Sequence, residues 1–223
     1  MVASPFKKAQ DLPMVIPVFP LDGALLLPHA ALPLQIFEPR YINMVDDAMA
    51  GERIIGMVQT RNGGGDPERP VLEQVGCAGK ITAFTETSDG RYLITLTGLS
   101  RFASREELPV QTPYRQMKVD FMAYEADLEP IKDDDEGFDR LRLLGALKNY
   151  LERRSLDVDW ETAKAAPAEA LVNSLAMALP FEPPEKQALL EAPHLPERRE
   201  TLVALMEIDA LAAGDDDQPA SIQ

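Results

Sequence analysis

The chain has 223 residues, 45% of them hydrophobic and 26% charged, with a formal net charge of −15 and one cysteine, Cys77. Such a composition suits one globular domain or a domain with a helical extension. It excludes an internal disulfide, offers no apolar window near the roughly eighteen residues of a membrane-spanning helix, and sets a field that repels phosphates and anionic membranes at long range.

The first thirteen residues, MVASPFKKAQDLP, carry two lysines with no apolar run behind them. They read as a loose leader rather than a secretory signal, and the expected address is cytoplasmic. MVIPVF (14–19) is a strand closed by Pro20. A turn at Asp22-Gly23, the apolar run Leu25, Leu26 and Leu27, and a break at Pro28 follow. LPLQIF (32–37) is the next strand; Pro17 and Pro33 suit strand ends or edges rather than a central ladder. Pro39 to Ala50 reads as a helix, because Tyr41, Met44, Val45, Ala48 and Met49 fall on one face. Pro39 occupies the first helical position and Gly51 is the expected cap.

RIIGMVQ (53–59) is a strand and RNGGGDPERP (61–70) a loop by composition. AGKITAFTET (78–87) and GRYLITLTG (90–98) are paired strands around Ser88-Asp89-Gly90. YRQMKVDFMAY (114–124) alternates once more. EPIKDDDEG (129–137) is an acidic linker, after which the period becomes helical: 138–154, 167–179, 183–192 and 196–214, before the acidic tail 215–223. Charge divides unevenly, −3 over residues 1–125 and −12 over 126–223, and the acid reads as solvation. Strands followed by helices make an α+β fold, a curled antiparallel sheet or small barrel over 14–125 and a helical part over 137–213.

The chemistry the sequence offers is sparse. GCAGKIT (76–82) glances at a phosphate loop, but the first glycine of that motif would fall at Gln74 and the Ser or Thr at Ile81. His29 and His194 stand apart and form no ligand-spaced cluster with Cys77. The acidic runs lack calcium-loop spacing, and there is no G-x-S-x-G elbow. No catalytic residue, metal or cofactor is expected. Glu38 and Arg40 flank Pro39 where a strand meets a helix. Arginine stays protonated and shuttles protons poorly, so the pair reads as architectural. Glu38 meets the positive end of the helix, Arg40 forks onto a carboxylate or carbonyls, and Phe37 and Tyr41 bury on either side.

IPVFPLDGALLLPHAALPLQIFEPRYINMVDDAM resembles the opening of the Lon protease N-terminal, or substrate-binding, domain. The pattern falls on Pro20, Leu21, Pro28, Leu32, Pro33, Leu34, Ile36, Phe37, Glu38, Pro39, Arg40 and Tyr41. It continues at IIGMV, DGRYLITLTGLSRF, PYRQMKV and KQALLE. The resemblance implies a six-stranded PUA-like pseudo-β-barrel followed by a helical bundle. It implies a stand-alone, non-catalytic module that binds unfolded or degradation-bound client proteins, with a protease or chaperone as partner, through an apolar groove between barrel and helices. Leu25, Leu26, Leu27, Met44 and Met49 are the candidate apolar surface. One departure is His29, where the family commonly has glycine; histidine tolerates a positive φ. An RNA-binding PUA-like protein is the alternative, which the −15 charge opposes, and an ATP-independent peptidase has no local support.

Overall fold

Runs of alternating polarity become strands because successive side chains point to opposite faces of a sheet. The computed structural model describes residues 6–66, 69–130 and 138–212, and its eight strands are β1 Val15–Pro20, β2 Ala31–Ile36, β3 Ile54–Val58, β4 Thr60–Asp66, β5 Arg69–Leu72, β6 Val75–Glu86, β7 Tyr92–Glu107 and β8 Arg115–Asp120. Six of them form one sheet in the order β2-β7-β6-β3-β1-β8, and β8 returns to pair with β7. The strands therefore make a ring through β7, β6, β3, β1 and β8, with β2 hanging on β7 outside it.

The long strand β7 makes this arrangement possible. Its first half, Tyr92–Thr97, pairs with β2, and its second half, Ala103–Glu107, pairs with β8. Register shifts between Ala78 and Gly79 and between Ile81 and Ala83 bend the β6–β7 ladder. The sheet is mixed and not purely antiparallel, because β1 pairs with β3 in parallel. A parallel neighbour needs a long crossover, supplied here by β2 and the helix α1, Pro39–Ala50. Pro17 sits where β1 is paired with β8 but not yet with β3, whose register begins at Val18. Pro33 sits on β2, the edge strand.

The helices are α2 Arg140–Arg154, α3 Trp160–Ala165, α4 Ala168–Ala178, α5 Pro183–Glu191 and α6 Leu195–Ala212. Helix α3 was not expected, because its six residues are too few to show a period; its start is marked by Asp159, which accepts from the Glu161 and Thr162 amides. Helix α1 ends at Gly51 with a negative φ, and the left-handed residue is Arg53, whose amide reaches the Ala48 carbonyl.

Three expectations change. The expected loop 61–70 forms a hairpin of β4 and β5, with Thr60 opposite Leu72 and Asp66 opposite Arg69. The strand expected over 114–124 stops at Asp120, and Met122–Leu128 is a 3-10 helix. The leader is not loose over its described part: Phe6, Ala9 and Leu12 are buried, and Ala9 donates its amide to Glu125. They close a cluster around Phe102, with Ile16, Val18, Val119 and Phe121. Residues 131–137 of the acidic linker and the tail lie outside the described residues.

A second core cluster is continuous from sheet to helices. It runs from Leu25, Leu26, Leu27, Tyr41 and Met44 through Leu96 to Leu143, Leu147, Tyr150, Leu175, Leu202 and Met206. A polar clamp at Arg101 crosses this junction, beside hydrogen bonds from Gln59, Gln187 and Asn173. Arg101 on β7 is 4% exposed. It forks onto Asp127 at 2.8 Å and donates to the carbonyls of Leu190, Ala192 and Pro193 at 3.3, 2.6 and 3.0 Å. Replacing Arg101 by Met should cost about 3–5 kcal/mol, because Asp127 and three carbonyls lose their donor in the interior. Urea unfolding followed by circular dichroism measures this, and a loss below ~1 kcal/mol would contradict the clamp.

Candidate groove between the edge strand and the helices

The site is built from a turn. The buried run Leu25–Leu27 must leave the core to enter β2, and it does so at Pro28-His29, where His29 adopts φ 64°. The expected tolerance of histidine for this conformation is met. The turn lies directly on β7: a Cβ on Gly98 would stand 2.0 Å from the Leu27 carbonyl oxygen, so only glycine fits there. The His29 amide donates to the Gly98 carbonyl at 3.0 Å, and the Gly98 amide to that of Ala30 at 2.9 Å.

From this turn β2 runs out as an edge strand facing α4. Between them lies a cavity of about 440 Å³ lined by Ala31, Leu32 and Pro33 on one side and Ala170, Asn173 and Met177 on the other. It shares His29 and Glu169 with a second cavity of about 370 Å³, which reaches Tyr124, Phe138, His194 and Arg198. Together they form one groove with an apolar chamber and a polar chamber.

The floor of the groove is a buried hydrogen-bond chain. Asn173, 2% exposed, donates to the Pro28 carbonyl at 3.2 Å and accepts from Arg198 at 3.0 Å. Arg198 also donates to the Leu189 carbonyl at 3.0 Å. Burial, and after it the neighbouring charge of Arg101, lowers the Arg198 guanidinium to about 10. The chain pins the turn, α4, α5 and α6 together.

The structure sorts the residues singled out from the sequence. Leu25, Leu26, Leu27 and Met44 are each at most 2% exposed and belong to the core. The expected apolar surface is therefore corrected at these four: they are the packing that joins sheet to helices. Met49 is half-buried against the same cluster. Phe37 is 64% exposed, contrary to the expected burial, because strand alternation turns Ile36 inward and the next residue outward. Tyr41 is buried and stacks on Phe19 at 4.2 Å.

Glu38 and Arg40 meet at 2.8 Å on the surface, and the guanidinium lies 4.6 Å from the centre of the Tyr41 ring. Glu38 makes no side-chain cap; its carbonyl receives the Tyr41 and Ile42 amides. Pro20, Arg40 and Tyr41 border a separate cavity of about 660 Å³ with Asp22, Tyr114 and Arg115. Pro28 and Pro33 line the groove instead. The signature thus frames two concavities.

Leu32, Asn173, Met177 and Arg198 were not singled out from the sequence as groove residues. Arg198 had a signal: it stands at i, with Leu202 and Met206 at i+4 and i+8, a cation on the apolar stripe of α6. Cys77 is fully buried and its thiol is pushed up by desolvation, so it is an inert side chain. Among the described residues no group of three His, Cys, Asp or Glu side chains is placed to hold a metal, and no helix is long and apolar enough to cross a membrane.

Comparison with known proteins agrees with this architecture. Two Lon proteases match at low identity over most of the chain: Lon protease 2 of Myxococcus xanthus at 27% over 88% of the chain, and Lon protease of Flavobacterium johnsoniae at 25% over 90%. The chain spans only 24% and 25% of their lengths. The crystal structure of a Lon N-terminal domain protein from Xanthomonas campestris superposes with a TM-score of 0.59 at 25% identity, covering 85% of this chain and 97% of that one. The N-terminal domain of Mycobacterium avium complex Lon protease, at 17% identity, shares the fold with the same TM-score, over 86% and 98%. The model of the ATP-dependent protease La (LON) substrate-binding domain matches residues 15–207, and the chain belongs to that family.

Proposed function

We propose that this protein is a non-catalytic protein-binding module that holds unfolded or degradation-bound chains in the groove between β2 and α4. The observation that carries the reading is that groove: an edge strand and a helix flank an apolar chamber, which suits side chains exposed only in unfolded clients. Membership of a substrate-binding family and the Lon protease names of the relatives support the same role. The strand part, 14–125, and the helical part, 137–213, supply one wall each. A protease or chaperone that receives the client is the fitting partner, and the cytoplasm the fitting compartment. The net charge of −15 opposes RNA binding.

Anisotropy of a labelled, permanently unfolded protein titrated with the module tests the reading. Saturable binding that a folded protein does not compete with is expected, and casein incubated with the module stays intact. Ala178→Glu, a charge at an exposed position lining the groove, should weaken binding about tenfold with the melting temperature unchanged. Unaltered binding by that variant would remove the groove from the reading.

Glu38→Gln gives a second test. The pair it breaks is about half exposed, so stability should fall by less than ~1 kcal/mol and client binding should not change. A larger loss of stability would restore Glu38 as a structural centre. Lost binding at constant stability would move the client to the Arg40–Tyr41 cavity.

A further inference from the structure

We propose that the groove captures the free C-terminal end of a client chain, with the terminal carboxylate at Arg198 and the preceding apolar side chains between β2 and α4. The proposal rests on the protein-binding reading above and names the part of the client that is read.

Arg198 is the reason. It is 4% exposed, and its two hydrogen bonds go to neutral oxygens, the Leu189 carbonyl and the Asn173 amide. No carboxylate among the described residues lies within ion-pair distance of it. Its neighbour Arg101 is ion-paired with Asp127, whereas among the described residues Arg198 makes no direct ion pair and meets the charges of Asp127 and Glu169 only at longer range. A buried cation is costly unless an anion meets it, and the remaining N–H groups of a guanidinium suit a carboxylate in fork geometry. The depressed Arg198 pKa is what desolvation beside Arg101 produces, and an anion in the cavity would relieve it.

Two further features point the same way. Helix α6 begins at Leu195, and Leu195 and Pro196 line the polar chamber, so the positive end of an eighteen-residue helix faces it. Arg199 also lines the chamber, 3.7 Å from Glu200 and with its guanidinium 5.4 Å from the centre of the Phe138 ring. Against these stand Asp127, Glu129 and Glu169 on the same walls, Asp127 already paired with Arg101 and Glu169 where the two chambers meet. The attraction is therefore local to Arg198 and the α6 terminus rather than a broad basic field.

The second chamber argues for a chain end over a free anion. It continues from His29 along Ala31, Leu32 and Pro33 with apolar walls, which an inorganic ion would leave unused. The two chambers, about 370 and 440 Å³, have room for a few residues. Pro33 lacks an amide hydrogen, which weakens β2 as a template for adding a whole strand. Side chains and the terminus then carry recognition.

The test uses the whole protein and a short apolar peptide labelled at its N-terminus, made as the free acid, as the C-terminal amide, and as an amide with an internal aspartate. The free acid should bind about tenfold or more tightly than the plain amide. Arg198→Gln should abolish the preference, bringing the acid-to-amide affinity ratio to about one. If that variant does not fold, the acid-to-amide ratio on the unaltered protein decides alone. Equal binding of acid and amide overturns the proposal. So does an internal aspartate that matches the free acid, since the site would then read any carboxylate. If long unfolded chains bind and neither short peptide does, the proposal fails and the protein-binding reading stands. If nothing binds, both fail.

Discussion

Arg101 is the side chain on which the relation of sheet to helices depends. It leaves β7, neutralises Asp127 from the 3-10 helix, and fills the carbonyls at the end of α5. Helix ends expose carbonyls that must find donors, and here one guanidinium supplies them from another element. Burying an ion pair gives little net stability compared with apolar packing. What this one gives is position: α5 stops where Arg101 reaches, α6 starts after three intervening residues, and Arg198 on α6 is carried into the groove.

The turn at Pro28-His29 links that frame to the candidate site. Gly98 lets the Leu27 carbonyl rest on β7, and Asn173 holds the Pro28 carbonyl from α4. The same few residues therefore end the apolar core and begin the groove. Leu25, Leu26 and Leu27 attach the turn to the interior, which explains why a run so hydrophobic is core and why the strand after it is free to form an edge. The edge is half protected, because Pro33 offers no donor to a neighbouring strand.

The Glu38–Arg40 pair illustrates how a specific motif can be structural without being central to stability. Proline at the first helical turn sets φ, the Glu38 carbonyl receives the first helical amides, and Arg40 covers the Tyr41 ring. Both charges remain in water, where such pairs contribute little. The motif directs a change of element, from β2 to α1, and the energetic anchor of that junction is the buried face Tyr41, Met44 and Val45.

Local pattern determined most of the elements, because periods of two and of 3.6 residues are visible wherever one face is buried. It also identified the family, through a motif whose proline, charge and aromatic order is specific. The hairpin over β4 and β5 was hidden by a turn-like composition, and α3 by its length. The parallel pairing of β1 with β3, the return of β8 to β7 and the burial of Leu25–Leu27 were decided only by tertiary structure, since each depends on partners far along the chain. The groove belongs to that second class. Its walls come from residues 29–33 and 169–178 and its cation from residue 198, and no local spacing relates them. The sequence by itself determined which faces are apolar; the three-dimensional fold decided which of them meet each other and that Arg198, a buried cation with no direct ion pair among the described residues, lines the groove.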